Sequence, residues 1–131
     1  MPTLKSISPL FIVDAIQDAV EFYNRSLGFD VNLLVPEDDP FFALLVRDEV
    51  VIALKEIGRD VHPVPNPGQH PDARWDAFIE VDDPDALSRE FSGNDVNFRE
   101  PLGDTDDGLR GFAVYDHDGY VLFFGRPITV G

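Results

Sequence analysis

The 131-residue sequence contains no cysteine. That excludes disulfide staples, thiolate zinc sites and a cysteine nucleophile. Basic charge is scarce too. Two lysines and eight arginines stand against 18 aspartates and seven glutamates, a formal net charge of −15. Such a chain repels phosphate, which argues against nucleic acid and anionic membranes as partners. No apolar run approaches the roughly 18 residues of a spanning helix. The first residues, MPTLKSISPLFIV, lack the basic start and long apolar stretch of a secretory leader, so a cytoplasmic location is the expectation. There is no G-x-S-x-G elbow and no phosphate-cradling glycine loop. The five serines have no histidine at a recognisable spacing.

What is present points to one ordinary domain with a real core: 44% hydrophobic residues, 11 of them phenylalanine. The acidic excess has two readings. It keeps the chain solvated, as a salt-rich cytoplasm would require, or it attracts a cationic ligand.

Along the chain, LKSISPLFIV (4–13) reads as a strand interrupted by Pro9, which suits an edge or an arm. Asp14 is placed to cap a helix whose apolar stripe is Ile16, Ala19, Val20, Tyr23 and Leu27, with Gly28 ending it. Strands follow over Phe29–Val35, Phe41–Arg47 and Val50–Glu56, with turns at 36–40 and at Asp48-Glu49. Residues 57–74 hold four prolines and no period, and read as a linker. The order then recurs. Trp75–Asp82 is a strand, and Asp83-Pro84 opens a short helix with Leu87 and Phe91 on one side. Strands follow over Asp95–Glu100, Arg110–Asp116 and Tyr120–Gly125. A shift of 70 places Phe42-Ala43 on Phe112-Ala113, Asp48 on Asp118, and Ile52-Ala53-Leu54 on Leu122-Phe123-Phe124 without a gap. The chain therefore reads as a duplication: module 1 over 1–56, the linker over 57–74 and module 2 over 75–131.

Three stretches carry a family resemblance: SISPLFIVDAIQDAVEFYNRSLGFDV, FIEVDDPDALSREF and GLRGFAVYDHDGYVLFFGRP. Together they resemble the vicinal oxygen chelate superfamily, which includes glyoxalase I, the extradiol dioxygenases, and fosfomycin- and bleomycin-resistance proteins. The resemblance implies an α+β fold of two βαβββ modules. These form a cupped, mostly antiparallel sheet around a cleft, usually in a homodimer that sometimes exchanges modules or N-terminal arms. It also implies where a metal would sit. Metal-dependent members carry a His on the first strand of each module and a Glu, or a similar group, on the fourth. Here those positions read Ile7, Ala53, Asp76 and Phe123, with Trp75 in place of Asp76 if the spacing slips by one. One carboxylate does not hold a divalent ion. The resemblance then implies the metal-free bleomycin-resistance type, which sequesters a drug unchanged. Pro9 in the arm fits that branch.

The expectation is thus a small-molecule binder with no cofactor, no metal and no assigned catalytic residue, its ligand a cationic or aromatic antibiotic. The cleft candidates are Ile7, Phe42, Ala53, Trp75, Asp76, Arg110 and Phe123. Phe123, Ala53 and Ile7 should point inward, and Phe124 away. Arg110 should orient a polar ligand or pair with Asp106 or Asp107. Asp76 and Glu80 share a strand face and would form an acid–base pair if that face lines the cleft. Of the histidines, His62 and His70 read as solvated linker residues and His117 as part of a turn. Two alternatives stand beside this reading: a glyoxalase- or dioxygenase-type enzyme with an unrecognised metal site, and a structural dimer whose cleft is filled by Ile7, Phe123 and Trp75.

Overall fold

Both expected modules form in the computed structural model, which describes residues 1–128. The last three residues of module 2 lie outside the described residues. Module 1 comprises β1 (Leu10–Ile12), α1 (Ile16–Arg25), β2 (Asp30–Val35), β3 (Phe42–Arg47) and β4 (Val50–Lys55). A one-turn helix, α2 (Asn66–Gln69), interrupts the proline-rich linker. Module 2 comprises β5 (Ala77–Glu80), α3 (Pro84–Gly93), β6 (Phe98–Asp104), β7 (Leu109–Tyr115) and β8 (Val121–Pro127). Each module makes a four-stranded sheet, in the orders β1-β4-β3-β2 and β5-β8-β7-β6. The first strand of each runs parallel to the last, and the other pairings are antiparallel. No helix among the described residues is long and apolar enough to cross a membrane.

The element ends have local causes. The first strand is shorter than expected, because Pro9 has no N–H for the ladder. Its carbonyl still accepts from Ala53 N at 3.0 Å, and the chain before it is an exposed arm. Asp14 does not cap α1. It sits one residue early, and Ala15 holds the N-cap position with no side-chain acceptor. Glu56, from just past β4, accepts from Ile16 N at 2.8 Å instead. Asp83 does cap α3, accepting from Ala86 N at 3.0 Å, with Pro84 in the first turn. Gly28 follows α1 at φ +75°, the left-handed conformation that suits glycine after a helix.

The helix-bearing sides of both sheets share one core. Ile16, Ala19, Tyr23 and Leu27 from the α1 region join Leu45, Ile52 and Leu54 of sheet 1, and Leu87, Phe91, Phe112, Val114, Leu122 and Phe124 of module 2. Polar links reinforce this junction. Tyr23 Oη donates to the buried Asp116 Oδ2 at 2.6 Å, and Tyr120 Oη donates to Ile12 O at 2.7 Å. Arg47 makes a forked bond to Glu90 at 2.7 and 2.9 Å. The helices therefore lie between the sheets, and the opposite face of each sheet points outward.

Strand pairing corrects the gapless repeat. Leu10 pairs with Ala53 and Phe78 with Phe123, and α1 and α3 begin at residues 16 and 84. The modules are thus offset by 68 through the first strand and helix. In the last hairpins Ala43 pairs with Leu54, but Phe112 pairs with Phe124. The offset is therefore 69 on the third strand and 70 on the fourth. The extra residue lies in the longer turn between β7 and β8. A slip of one residue reverses the face of every side chain. So Phe112 is core, like Ala43, whereas Phe42 and Ala113 lie on outward faces. At an offset of 68, Ile7 corresponds to Trp75 and not to Asp76.

Candidate functional site

The outward face of sheet 2 carries an aromatic wall. Phe123 lies at its centre, with its ring 5.4 Å from Trp75 and 5.7 Å from Phe78, stacked on the latter at 14°. The wall has a floor because two glycines face each other on β7 and β8. A Cβ on Gly125 would lie 2.6 Å from the Phe123 ring, and one on Gly111 2.8 Å from it. The absent side chains let the ring lie against the sheet. Phe123 is only 1% exposed, so it backs the wall and does not line it. Phe78, 39% exposed, and the half-buried Trp75 and Tyr115 present the accessible surface. The Arg74 guanidinium lies 5.4 Å from the Trp75 ring centre and 5.9 Å from that of Phe123, within cation–π range. Its ion pairs to Glu100 and Asp107 are long, at 3.5 and 3.4 Å. Arg99 donates to Tyr115 Oη at 3.1 Å, with its guanidinium 5.9 Å from the Tyr115 ring centre.

The remaining sequence candidates divide between two faces and the arm. Asp76 precedes β5 and acts as a splint. Its Oδ1 accepts from Asn66 N at 2.7 Å and its Oδ2 from Val121 N at 2.8 Å. That carboxylate replaces a ladder carbonyl, which explains why β5 starts only at Ala77. Asp76 and Glu80 are not hydrogen-bonded to each other, so they do not form an acid–base pair in this arrangement. Ala53 and Phe42 lie together on the outward face of sheet 1, with Leu10, Leu33, Val35 and Leu44. Leu10 is 55% exposed, Leu33 41% and Val35 40%, an open apolar surface. Ile7 does not point inward within the chain. It lies on the arm, 95% exposed, three residues before β1 begins, where no strand pairing turns it toward Ala53. The three-residue filling by Ile7, Phe123 and Trp75 is therefore not assembled. Arg110 sits on the helix side of sheet 2, two residues before the core Phe112. It forks onto Asp85 at 2.8 Å twice and reaches Asp104 at 3.0 Å, in place of Asp106 or Asp107. These bonds hold the Asp85 carboxyl below the usual aspartate range.

The four metal positions do not fit a divalent ion. Ile7, Ala53 and Phe123 offer no side-chain donor atom, and Asp76 is a single carboxylate already bonded to two backbone N–H groups. Among the described residues no three His, Asp or Glu side chains converge as a metal site would require. His62 bonds Asp14 at 2.8 Å on the surface. A depression of about 550 Å³ lies elsewhere, between the modules beside α3. Its apolar floor, Phe29, Phe91 and Phe124, is almost wholly covered, and its one guanidinium, Arg47, is held by Glu90 and by Leu27 O. The aromatic wall, with its accessible rings, is the better binding surface.

Residues 5–124 match the Glyoxalase/Bleomycin resistance protein/Dioxygenase superfamily. The chain belongs to that superfamily. No curated protein sequence matches it. Among solved structures it is similar to TioX from Micromonospora sp. ML1, with a TM-score of 0.74, 20% identity, and 95% of this chain and 99% of that one covered. It is also similar to the bleomycin-binding protein of bleomycin-producing Streptomyces verticillus, solved with copper(II)-bleomycin. There the TM-score is 0.70 and the identity 24%, over 99% and 100% of the two chains. A third is TnmS3, an antibiotic-binding protein from Streptomyces sp. CB03234, with a TM-score of 0.66 and 21% identity over 96% and 99%. At these identities the likeness shows the superfamily fold.

Four wall residues escaped the sequence reading as site residues: Arg74, Phe78, Arg99 and Tyr115. Alternation along β5 could have found Phe78, two residues beyond Asp76. Nothing in the spacing of Arg74 or Arg99 marks them, because each reaches its aromatic partner across strands or from the linker.

Proposed function

We propose that the protein binds a small organic molecule with extended aromatic surface, without a metal, and sequesters it unchanged. The observation that carries this is the Trp75–Phe78–Phe123 wall, open on one side, in which Trp75 and Phe123 stand where a metal-dependent relative would need donor atoms. Similar folds that bind bleomycin and other antibiotics support the same class of ligand. The outward apolar face of sheet 1 supports a homodimer in which that face of one chain covers the wall of the other. Monomeric proteins rarely leave so much contiguous apolar surface open, and a two-fold pair closes both sites at once.

The test combines elemental analysis of protein purified without chelators with thermal-shift screening of aromatic antibiotics. Substoichiometric metal and a saturable rise in Tm are the expected results. One tightly held divalent ion per chain, with turnover that depends on it, would overturn the reading in favour of a glyoxalase- or dioxygenase-type enzyme.

A further inference from the structure

The acid surplus of the whole chain points to a cationic ligand, but the groups in contact with the wall point the other way. Arg99 has no carboxylate within ion-pair distance among the described residues. It donates one N–H to Tyr115 Oη, which leaves the tyrosine proton and the other guanidinium donors free to meet a ligand. Arg74 is a second guanidinium, resting on Trp75 and Phe123. The acids nearby are engaged. Glu100 and Asp107 face Arg74, Asp107 also accepts from Thr105, and Asp76 is spent on two backbone N–H groups. Trp75, Tyr115, Leu109 and Phe123 form one cluster, so both guanidinium groups border a single surface.

We propose that the ligand is a flat aromatic molecule carrying an acidic or carbonyl oxygen, which stacks on Phe78 and Trp75 and places that oxygen against Arg99 and Tyr115. This rests on the binding role proposed above and names the ligand's chemistry. Range decides between the two electrostatic signals. At physiological salt, fields are screened over about 8 Å. Distant carboxylates then slow the approach of an anion, whereas donors in contact set the affinity. A corner with several donors, whose nearest carboxylates already face Arg74 or backbone N–H groups, suits a carboxylate, phenolate or quinone oxygen better than an ammonium.

Three probes of one shape test this: anthracene-2-carboxylate, its carboxamide and 2-anthrylmethylammonium. Trp75 is the sole tryptophan, so energy transfer from it to the anthracene reports binding at the wall, and calorimetry gives the affinities. The carboxylate is expected to bind about tenfold or more tighter than the ammonium, the size of one charge-assisted hydrogen bond. Arg99→Gln should narrow that ratio and Arg99→Lys should restore part of it, while the surface control Arg59→Gln should keep it. If the ammonium binds as well or better, or Arg99→Gln leaves the ratio untouched, the oxygen-recognition proposal falls and aromatic binding stands. If none of the three reaches the wall, both fall.

Discussion

Asp116 offers the sharpest test of how the modules are joined. It begins the β7–β8 turn and is almost fully buried beneath α1. Tyr23 Oη donates to it at 2.6 Å, and the N–H groups of Asp118 and Tyr120 each donate at 2.9 Å. Two effects compete. Burial raises its pKa, and the three donors lower it. Burial dominates, and the pKa rises from 3.8 to about 6. The Tyr23 hydroxyl is pushed up as well, chiefly by its own burial, so it remains the donor. A carboxyl that holds its proton more tightly in the folded state stabilises the fold while protonated. That stability is fully present below about pH 3.8 and is lost as the pH rises to about 6. At about 1.4 kcal/mol per pH unit the loss is about 3 kcal/mol. Asp118, also raised by burial, acts in the same direction. Asp85 and Glu90, held low by Arg110 and Arg47, act in the opposite direction, but below their ordinary range and at exposed sites where screening weakens them.

The perturbation is Asp116→Asn, which keeps the shape and an acceptor and removes the charge. Urea unfolding of both proteins between about pH 4 and pH 7 measures the difference. The parent should lose about 2–2.5 kcal/mol relative to the variant across that interval, because the loss has already begun by pH 4, and that is on the order of 10 °C in Tm. The comparison cancels every other titrating group that the two proteins share. A difference that stays flat, or that grows in favour of the parent as pH rises, would refute the reasoning. It would mean that the three donors outweigh burial and that the site was built for the carboxylate.

Three further outcomes follow from the packing. Gly125→Ala sets a Cβ 2.8 Å from Arg110 O and 2.6 Å from the Phe123 ring; it should cost about 2–3 kcal/mol in urea unfolding and shift Trp75 emission, since the ring must leave its seat. Leu33→Lys puts a charge on the open face of sheet 1 and should leave the chain monomeric by light scattering at concentrations where the parent is dimeric; a parent that is itself monomeric would remove the proposed pairing. Arg47→Met cuts the fork to Glu90 and the bond to Leu27 O, and because the pair is about one-third exposed the loss in unfolding free energy should stay near 1 kcal/mol.

The helices and most strands were legible because their signals are local. The stripe Ile16, Ala19, Tyr23 and Leu27 is read at helical spacing, and Asp83-Pro84 announces a helix start. The superfamily was legible from three stretches taken together. The site was legible only in part. Trp75 and Phe123 were named, but Phe123 backs the wall, and Arg110 turns to the helix side, where Asp85 and Asp104 hold it. Ile7 was placed by counting along a strand that ends at Leu10. Asp116 read as the end of a strand, since nothing near it in sequence indicates that Tyr23, 93 residues away, closes over it. These misses share a cause. Each depends on which face a strand presents or on a partner from the other module.

The sliding offset between the modules, 68 then 69 then 70, is what makes their outward faces differ. A strictly repeated chain would show the same kind of face twice. Here the added residue in the second hairpin turns Phe112 into the core and leaves Ala113, Gly111 and Gly125 beneath Phe123, so module 2 gains a floor low enough for stacked rings. Module 1 keeps Phe42 and Leu44 on the outside, among Leu10, Leu33 and Val35, and offers a mostly aliphatic surface instead. One face is aromatic with guanidinium groups at its border, and the other is mostly aliphatic and almost free of charge. Two copies related by a two-fold axis would set the unlike faces against each other twice, each site taking its aromatic wall from one chain and its apolar cover from the other. On that arrangement Leu33→Lys should weaken ligand binding as well as dimerisation, although Leu33 and the wall lie on separate sheets of the same chain. Retention of full affinity by a monomeric Leu33→Lys protein would show that the wall works uncovered.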